Sequence, residues 1–255
     1  MTTTGGEIAS ATVLPCTCPA LVGMQNAPFS GVHLSSSKVG YAQSELDTDY
    51  GAVMVTPQFI NVNGEKVTSL DSIKPTAAEG VDLAYGVNIQ ILDNAGYTTE
   101  DEYSWNGSAW ETTSGAIATG VTFPAGQGLW VTSSLGEDVV GFQSAGAVNK
   151  SDVSVALDTD YGAVAIGNPF PTALALNDIL PTAAEGVDLA YGVNIQILDN
   201  AGYTTEDEYS WNGTAWETTS GSVATDVTFP AGQGLWVTSS LGEDVVYLQL
   251  PAPEL

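Results

Sequence analysis

The sequence contains no arginine and only four lysines, Lys38, Lys66, Lys74 and Lys150, against 30 acidic residues. All four bases precede residue 151, so the second half carries its acids without a basic side chain. Nucleic acid is excluded as a partner, because neutralising phosphates needs Lys and Arg. An anionic membrane surface is a poor partner for the same reason. At a net charge of −26 salt bridges cannot be a main source of cohesion. Salt, bound divalent cations or wide spacing must disperse the charge instead.

Other absences narrow the chemistry. His33 is the single histidine, and no Gly-x-Ser-x-Gly elbow or phosphate loop is present. Carboxylate neighbours such as Glu100, Asp101 and Glu102 alternate between the two faces of a strand, so they do not form a glycosidase pair at fixed separation. The chain is therefore expected not to be an enzyme. No stretch of about 18 apolar residues occurs, so no transmembrane helix and no membrane insertion are expected. Met1 to Ile8 lacks a basic region followed by an apolar run, so no signal peptide is visible in this numbering. The two cysteines, Cys16 and Cys18, lie two apart between Pro15 and Pro19. Bridging such close neighbours is strained, which leaves free buried thiols or disulfides between subunits. With one histidine in the chain, this spacing is also a poor zinc site.

What the sequence does contain, it contains twice. Residues 75–140 and 181–246 align without a gap and differ at four of 66 positions: Ser108/Thr214, Ala116/Ser222, Ile117/Val223 and Gly120/Asp226. Each copy is preceded by the same opening, Leu-Asp-Thr-Asp-Tyr-Gly-Ala-Val, at 46–53 and 157–164. The segments between opening and copy diverge, 51–74 in one and 162–180 in the other. A tandem repeat this close means two copies of one folding unit.

Each copy reads as all-β. Short apolar runs are punctuated by Gly, Asn-Gly and Pro, and helix signals are almost absent. Val87 to Leu92 predicts a strand, Asp93-Asn94-Ala95-Gly96 a turn, and Tyr97 to Trp105 the returning strand. Asn106-Gly107 predicts a two-residue type I′ turn. That turn sets Trp105 opposite Ser108 and Tyr103 opposite Trp110, so Tyr103, Trp105 and Trp110 share one face. The second copy places Tyr209, Trp211 and Trp216 in the same way. These aromatics read as core, or as a surface that stacks sugars. Gln127 and the small residues around it, in Pro-Ala-Gly-Gln-Gly-Leu-Trp-Val, allow close backbone approach. Seven or eight short strands per unit argue for tandem immunoglobulin-like antiparallel β-sandwiches at 32–146 and 147–255, preceded by an extended N-terminal arm at 1–31.

The motif order Asn-Pro-Phe-Pro, Leu-Asn-Asp-Ile, Ile-Gln-Ile-Leu-Asp, Tyr-Ser-Trp-Asn-Gly and Pro-Ala-Gly-Gln-Gly-Leu-Trp-Val resembles β-sandwich repeats of secreted bacterial surface and filament proteins. The likeness covers about 90 residues of each unit by the same repeat logic. The second copy matches more fully, since the first has Thr56-Pro57-Gln58-Phe59 where the second has Asn168-Pro169-Phe170-Pro171. The resemblance implies an extracellular structural or adhesive role and carries no catalytic residue with it.

Three functional expectations follow. The first is a non-enzymatic extracellular subunit that polymerises with copies of itself into a filament or surface array. In it the arm residues Ile8, Val13, Leu14, Cys16, Cys18, Leu21 and Val22 donate a strand to a neighbour's sheet edge. The second is a carbohydrate-binding or adhesive module that meets a glycan or host surface. The third, compatible with the first, is calcium binding. Asp47 and Asp49 precede a Gly turn, and Asp158 and Asp160 repeat them, as hard cations require oxygen ligands. Asn106, Asn149 and Asn212 open Asn-x-Ser/Thr triplets, which the hairpin turns at Asn106 and Asn212 already explain.

Overall fold

The computed structural model of the chain describes residues 39–46, 52–92, 99–135, 140–157, 163–198, 205–241 and 246–254. The first repeat runs β1 (Val39–Leu46), β2 (Ala52–Val55), β3 (Val67–Ser69), a 3₁₀ turn (Leu70–Ser72), β4 (Ile73–Ala77), β5 (Val87–Leu92), β6 (Thr99–Trp105), β7 (Trp110–Thr112), β8 (Thr122–Pro124), β9 (Leu129–Ser133) and β10 (Val140–Ala147). The second runs β11 (Val153–Leu157), β12 (Ala163–Gly167), β13 (Leu174–Ala175), a 3₁₀ turn (Leu176–Asp178), β14 (Leu180–Ala183), β15 (Val193–Leu198), β16 (Thr205–Trp211), β17 (Trp216–Thr218), β18 (Thr228–Phe229), β19 (Gly234–Ser239) and β20 (Val246–Leu250). No helix among the described residues is long and apolar enough to cross a membrane.

Both repeats build the same all-β sandwich. The first has a five-stranded sheet β2-β9-β5-β6-β7, a three-stranded sheet β1-β10-β4 and a ribbon β3-β8. The second has β12-β19-β15-β16-β17, β11-β20-β14 and β13-β18. The alternation along each strand decides which side is core. Val153, Val155 and Leu157 of β11 point inward with Val246, Leu248 and Leu250 of β20, while the residues between them face out. In the first repeat Val87, Ile89, Leu129 and Val131 of the large sheet pack on Ile73, Val140 and Phe142 of the small one.

Trp110 and Trp216, on the last strands of the two large sheets, belong to the two cores. Each is almost wholly buried, and each Nε1–H donates across the sandwich, to Ile73 O at 2.9 Å and to Ile179 O at 2.8 Å. The indole thus fills the space between sheets and ties one sheet to the other. Burying some 200 Å² of aromatic surface contributes about 5 kcal/mol before entropy is subtracted.

The hairpin that presents this tryptophan is wider than a two-residue turn. Trp105 pairs with Trp110 and Tyr103 with Thr112. The cause is the Asn106 side chain, whose Oδ1 accepts the amides of Ser108 and Ala109 at 2.9 Å each. It replaces the backbone carbonyl that a type I′ turn would use, and the loop lengthens to four residues. The register moves by two, an even number, so Tyr103, Trp105 and Trp110 keep their common face. Trp105 and Trp110 meet edge to face at 5.2 Å, and Trp211 and Trp216 at 5.3 Å. All six of these aromatics, Tyr103, Trp105, Trp110, Tyr209, Trp211 and Trp216, are buried in the two cores.

Burial has a titration consequence. Desolvation, then the charge of Asp101 and a hydrogen bond to it, push the Tyr103 phenol from 10.0 up to about 12. Tyr209 is raised by the same causes, with burial first and Asp207 second. A phenol whose folded value lies above its unfolded one stabilises the fold fully below pH 10, and this contribution is lost as pH rises towards 12. The unfolding free energy, measured by denaturant titration from pH 9 upward, should therefore fall by on the order of 2 kcal/mol for Tyr103 across that window. Tyr103→Phe should flatten the fall, and an unchanged slope would contradict the assignment.

Candidate functional site

Several residues singled out by the sequence lie outside the described residues. These are the arm positions Ile8, Val13, Leu14, Cys16, Cys18, Leu21 and Val22, and the carboxylates Asp47, Asp49, Asp158 and Asp160. Among the described residues, no group of three or more His, Cys, Asp or Glu is placed to hold a metal ion. The buried Trp and Tyr side chains of the hairpins offer no open ring face for a sugar. Asn149 is also buried, so its triplet presents no accessible amide.

Two surfaces remain, and both repeats contribute equivalent residues to each. The first is the junction between the repeats. β10 ends at Ala147 and β11 begins at Val153, so only residues 148–152 connect them. Val148 and Asn149 are buried, and Lys66 Nζ donates to Asp152 O at 3.0 Å. Ile60, Ala125 and Ala147 of the first repeat are part of the second repeat's core cluster.

The junction is reciprocal. Val55 forms a β-bridge with Gln233, and Ile166 forms one with Gln127. Val55 pairs with Leu129 and Ile166 with Leu235, so Val55 and Ile166 are equivalent positions, as are Gln127 and Gln233. Thr56 thus corresponds to Gly167 rather than to Asn168 as the motif order suggests. Thr56 N donates to Gly232 O at 2.9 Å, and its equivalent Gly167 N donates to Gly126 O at 3.1 Å. The same patch on each copy therefore meets the other around a local two-fold axis, the geometry of an isologous dimer within one chain. β2 and β12 are the edge strands of their five-stranded sheets. Each has its end covered by the other repeat's Gly-Gln-Gly segment, which removes a hazardous open edge.

Side chains fill the axis. Trp130 and Trp236 approach to 6.2 Å and enclose Met54 and Ala165. A Cβ at Gly128 would lie 2.8 Å from the carbonyl carbon of Ala165, and one at Gly234 would lie 2.8 Å from that of Met54. The glycines of Pro-Ala-Gly-Gln-Gly are thus required by the opposite backbone. At the axis the repeats differ. A Cβ on Gly167 would fall on Thr56 Oγ1, its own counterpart, and on Gln233 O. Thr56 Oγ1 and Gln58 Oε1 are buried without a hydrogen-bond partner among the described residues, a cost of about 1–3 kcal/mol for each such group.

The second surface surrounds Tyr85 and Tyr191. Both adopt φ of 57°, a left-handed conformation that costs a bulky residue about 1–3 kcal/mol. Both residues are 63% exposed, so burial gives little in return. Each is nevertheless held. Tyr85 N donates to Trp105 O at 2.5 Å, and Tyr85 OH donates to Glu111 Oε2 at 3.2 Å. Glu111 Oε1 accepts from Asn106 Nδ2 at 2.6 Å. Tyr191, Glu217 and Asn212 repeat these contacts at 3.2 and 2.7 Å. Hydrogen bonding to Glu111, then its charge, raise the Tyr85 phenol, so it stays protonated and donating. For Tyr191 the charge of Glu217 comes first and the hydrogen bond second.

Neither surface was named from the sequence as a site. The close approach at Gln127 was legible in its glycines, but not what approaches. Tyr85 carried no signal, since bulky residues avoid positive φ. Comparison with protein-family models, curated proteins and solved structures found no match to the chain.

Proposed function

We propose that the chain is a non-enzymatic structural subunit of an extracellular filament or surface array, assembled from copies of itself. The observation that supports this most is the reciprocal junction, in which each sandwich bridges and hydrogen-bonds to the other across a five-residue connection. Inter-domain contacts within a chain usually resemble transient interfaces and permit relative motion unless they are large and apolar. A spacer that carries load along a fibre needs the opposite.

The remaining edges supply the means of growth. Among the described residues β1 pairs only with β10, and β11 only with β20. Each therefore presents an outer edge to which a strand from another copy can add. The N-terminal arm, 1–31, is the donor in this reading, and head-to-tail addition produces an open filament. Calcium at Asp47 and Asp49, with Asp158 and Asp160, is compatible with it as a brace between acidic subunits.

Negative-stain microscopy and sedimentation of the full chain test the reading. Fibres or ordered arrays are expected, and removal of residues 1–31 should leave folded monomers. Full-length chain that stays monomeric at every concentration overturns the filament. Undiminished assembly of the shortened chain overturns the donor role of the arm.

A further inference from the structure

We propose that each repeat carries a binding platform for an extended neutral polysaccharide, centred on Tyr85 in the first and Tyr191 in the second. The inference is independent of assembly, because it concerns the outer face of each five-stranded sheet.

The platform is a straight row of side chains. Ile117 lies opposite Glu111, Glu111 opposite Ser104, Ser104 opposite Asn88 and Asn88 opposite Thr132. Directly opposed residues share a face, so these five lie in one line across the sheet. Strands are spaced about 4.8 Å apart, so the row is roughly 19 Å long, a length that several consecutive pyranose rings fill. Val223, Glu217, Ser210, Asn194 and Thr238 form the same row in the second repeat. Its chemistry alternates between an exposed aliphatic group, a carboxylate, a hydroxyl, an amide and a second hydroxyl. At the carboxylate the Tyr85 ring stands out from the surface, anchored through its hydroxyl.

Sugars need these two elements together. The C–H face of a pyranose stacks on an aromatic ring, and its hydroxyls donate to fixed acceptors. Glu111 has each oxygen held by one protein donor, Tyr85 OH on one and Asn106 Nδ2 on the other. A carboxylate oxygen has a second lone pair, so both remain able to accept from a ligand. Ring and acceptor are fixed before binding, so little rotamer freedom is lost when a ligand arrives. The ligand must be uncharged or nearly so, because a net charge of −26 repels uronic and sulfated chains. Burial does not account for Tyr85, which is 63% exposed and held only at its amide and hydroxyl, and this supports the assignment. Glycine would adopt φ of 57° freely, yet both copies place an exposed tyrosine there.

The test is affinity electrophoresis of the full chain through native gels containing hydroxyethylcellulose, galactomannan, arabinoxylan or laminarin, with alginate as the anionic control. Retardation by at least one neutral polymer and none by alginate is expected. Tyr85→Gly or Tyr191→Gly alone should weaken retention about tenfold, since two linked sites become one. The double variant Tyr85→Gly/Tyr191→Gly should lose retention while keeping its urea midpoint. Should that variant unfold, Tyr85→Asn/Tyr191→Asn decides instead, because Asn also accepts left-handed φ. No retardation by any neutral polymer, preference for alginate, or a folded double variant retained like the parent overturns the proposal.

Discussion

Trp216→Ala should cost the second repeat about 3–5 kcal/mol, the range for deleting a buried large aromatic. The side chain is fully buried, packs edge to face on Trp211 and donates to Ile179 O. Three losses combine: the buried area, the aromatic pair, and a carbonyl left without its donor inside the sandwich. A single domain has only about 5–15 kcal/mol in hand, so this change brings the repeat near its unfolding threshold. Guanidinium titration followed by far-UV circular dichroism measures it. Trp216→Phe separates the causes, because it keeps a ring and removes the N–H, and it should cost about 1–3 kcal/mol. Equal losses for the two variants would mean that the hydrogen bond, not the packing, holds the sheets together. Trp110→Ala should do the same to the first repeat, where the indole makes the same hydrogen bond and edge-to-face pair and also packs on Phe142 at 6.4 Å.

Gly167→Val is expected to break the junction. Its φ is unexceptional for any residue, so the penalty is steric: the new side chain meets Thr56 Oγ1 and Gln233 O. Overpacking of a tight site costs about 1–3 kcal/mol or more, and here it also strains the bond from Gly167 N to Gly126 O. The two repeats should then unfold in separate transitions, where a single transition is expected for the parent. The reciprocal exchange Thr56→Gly/Gly167→Thr offers a sharper check. The local two-fold axis sets these positions against each other, so moving the methyl and hydroxyl to the other side should restore much of what Gly167→Thr loses. Additive losses, with no coupling above about 0.5 kcal/mol, would show that the two residues do not oppose each other.

The strands and their faces were legible because alternation is a strong local signal. Val87 to Leu92 was read to the residue, and the inward set of the hairpin survived an error in its turn. The error came from a side chain competing with the backbone: Asn106 closes its own loop with Oδ1, and a dipeptide rule for Asn-Gly does not include that option. The short 3₁₀ turns at Leu70–Ser72 and Leu176–Asp178 escaped notice because three residues carry no periodicity. The junction was half legible. Gly126, Gly128 and Gln127 announced a close approach, but which backbone fills it depends on contacts with the other repeat, such as Gln127 with Ile166 and Gln233 with Val55. The Tyr85 platform was illegible because it departs from the preferences on which sequence reading rests.

The pairing of Thr56 with Gly167 bears on how the chain avoids tangling with itself. Strands β5 to β9 of one copy are nearly interchangeable with β15 to β19 of the other, since 75–140 and 181–246 differ at four positions. Neighbouring domains this similar are prone to exchange strands during refolding and to lock in the mixed product. Nothing within the meander tells a strand which copy it belongs to. The discrimination must come from the stretches that diverge, among them the one with Met54 and Thr56 in one copy and Ala165 and Gly167 in the other. These residues act as an address: once they have met across the axis, each sandwich has been assigned its own strands.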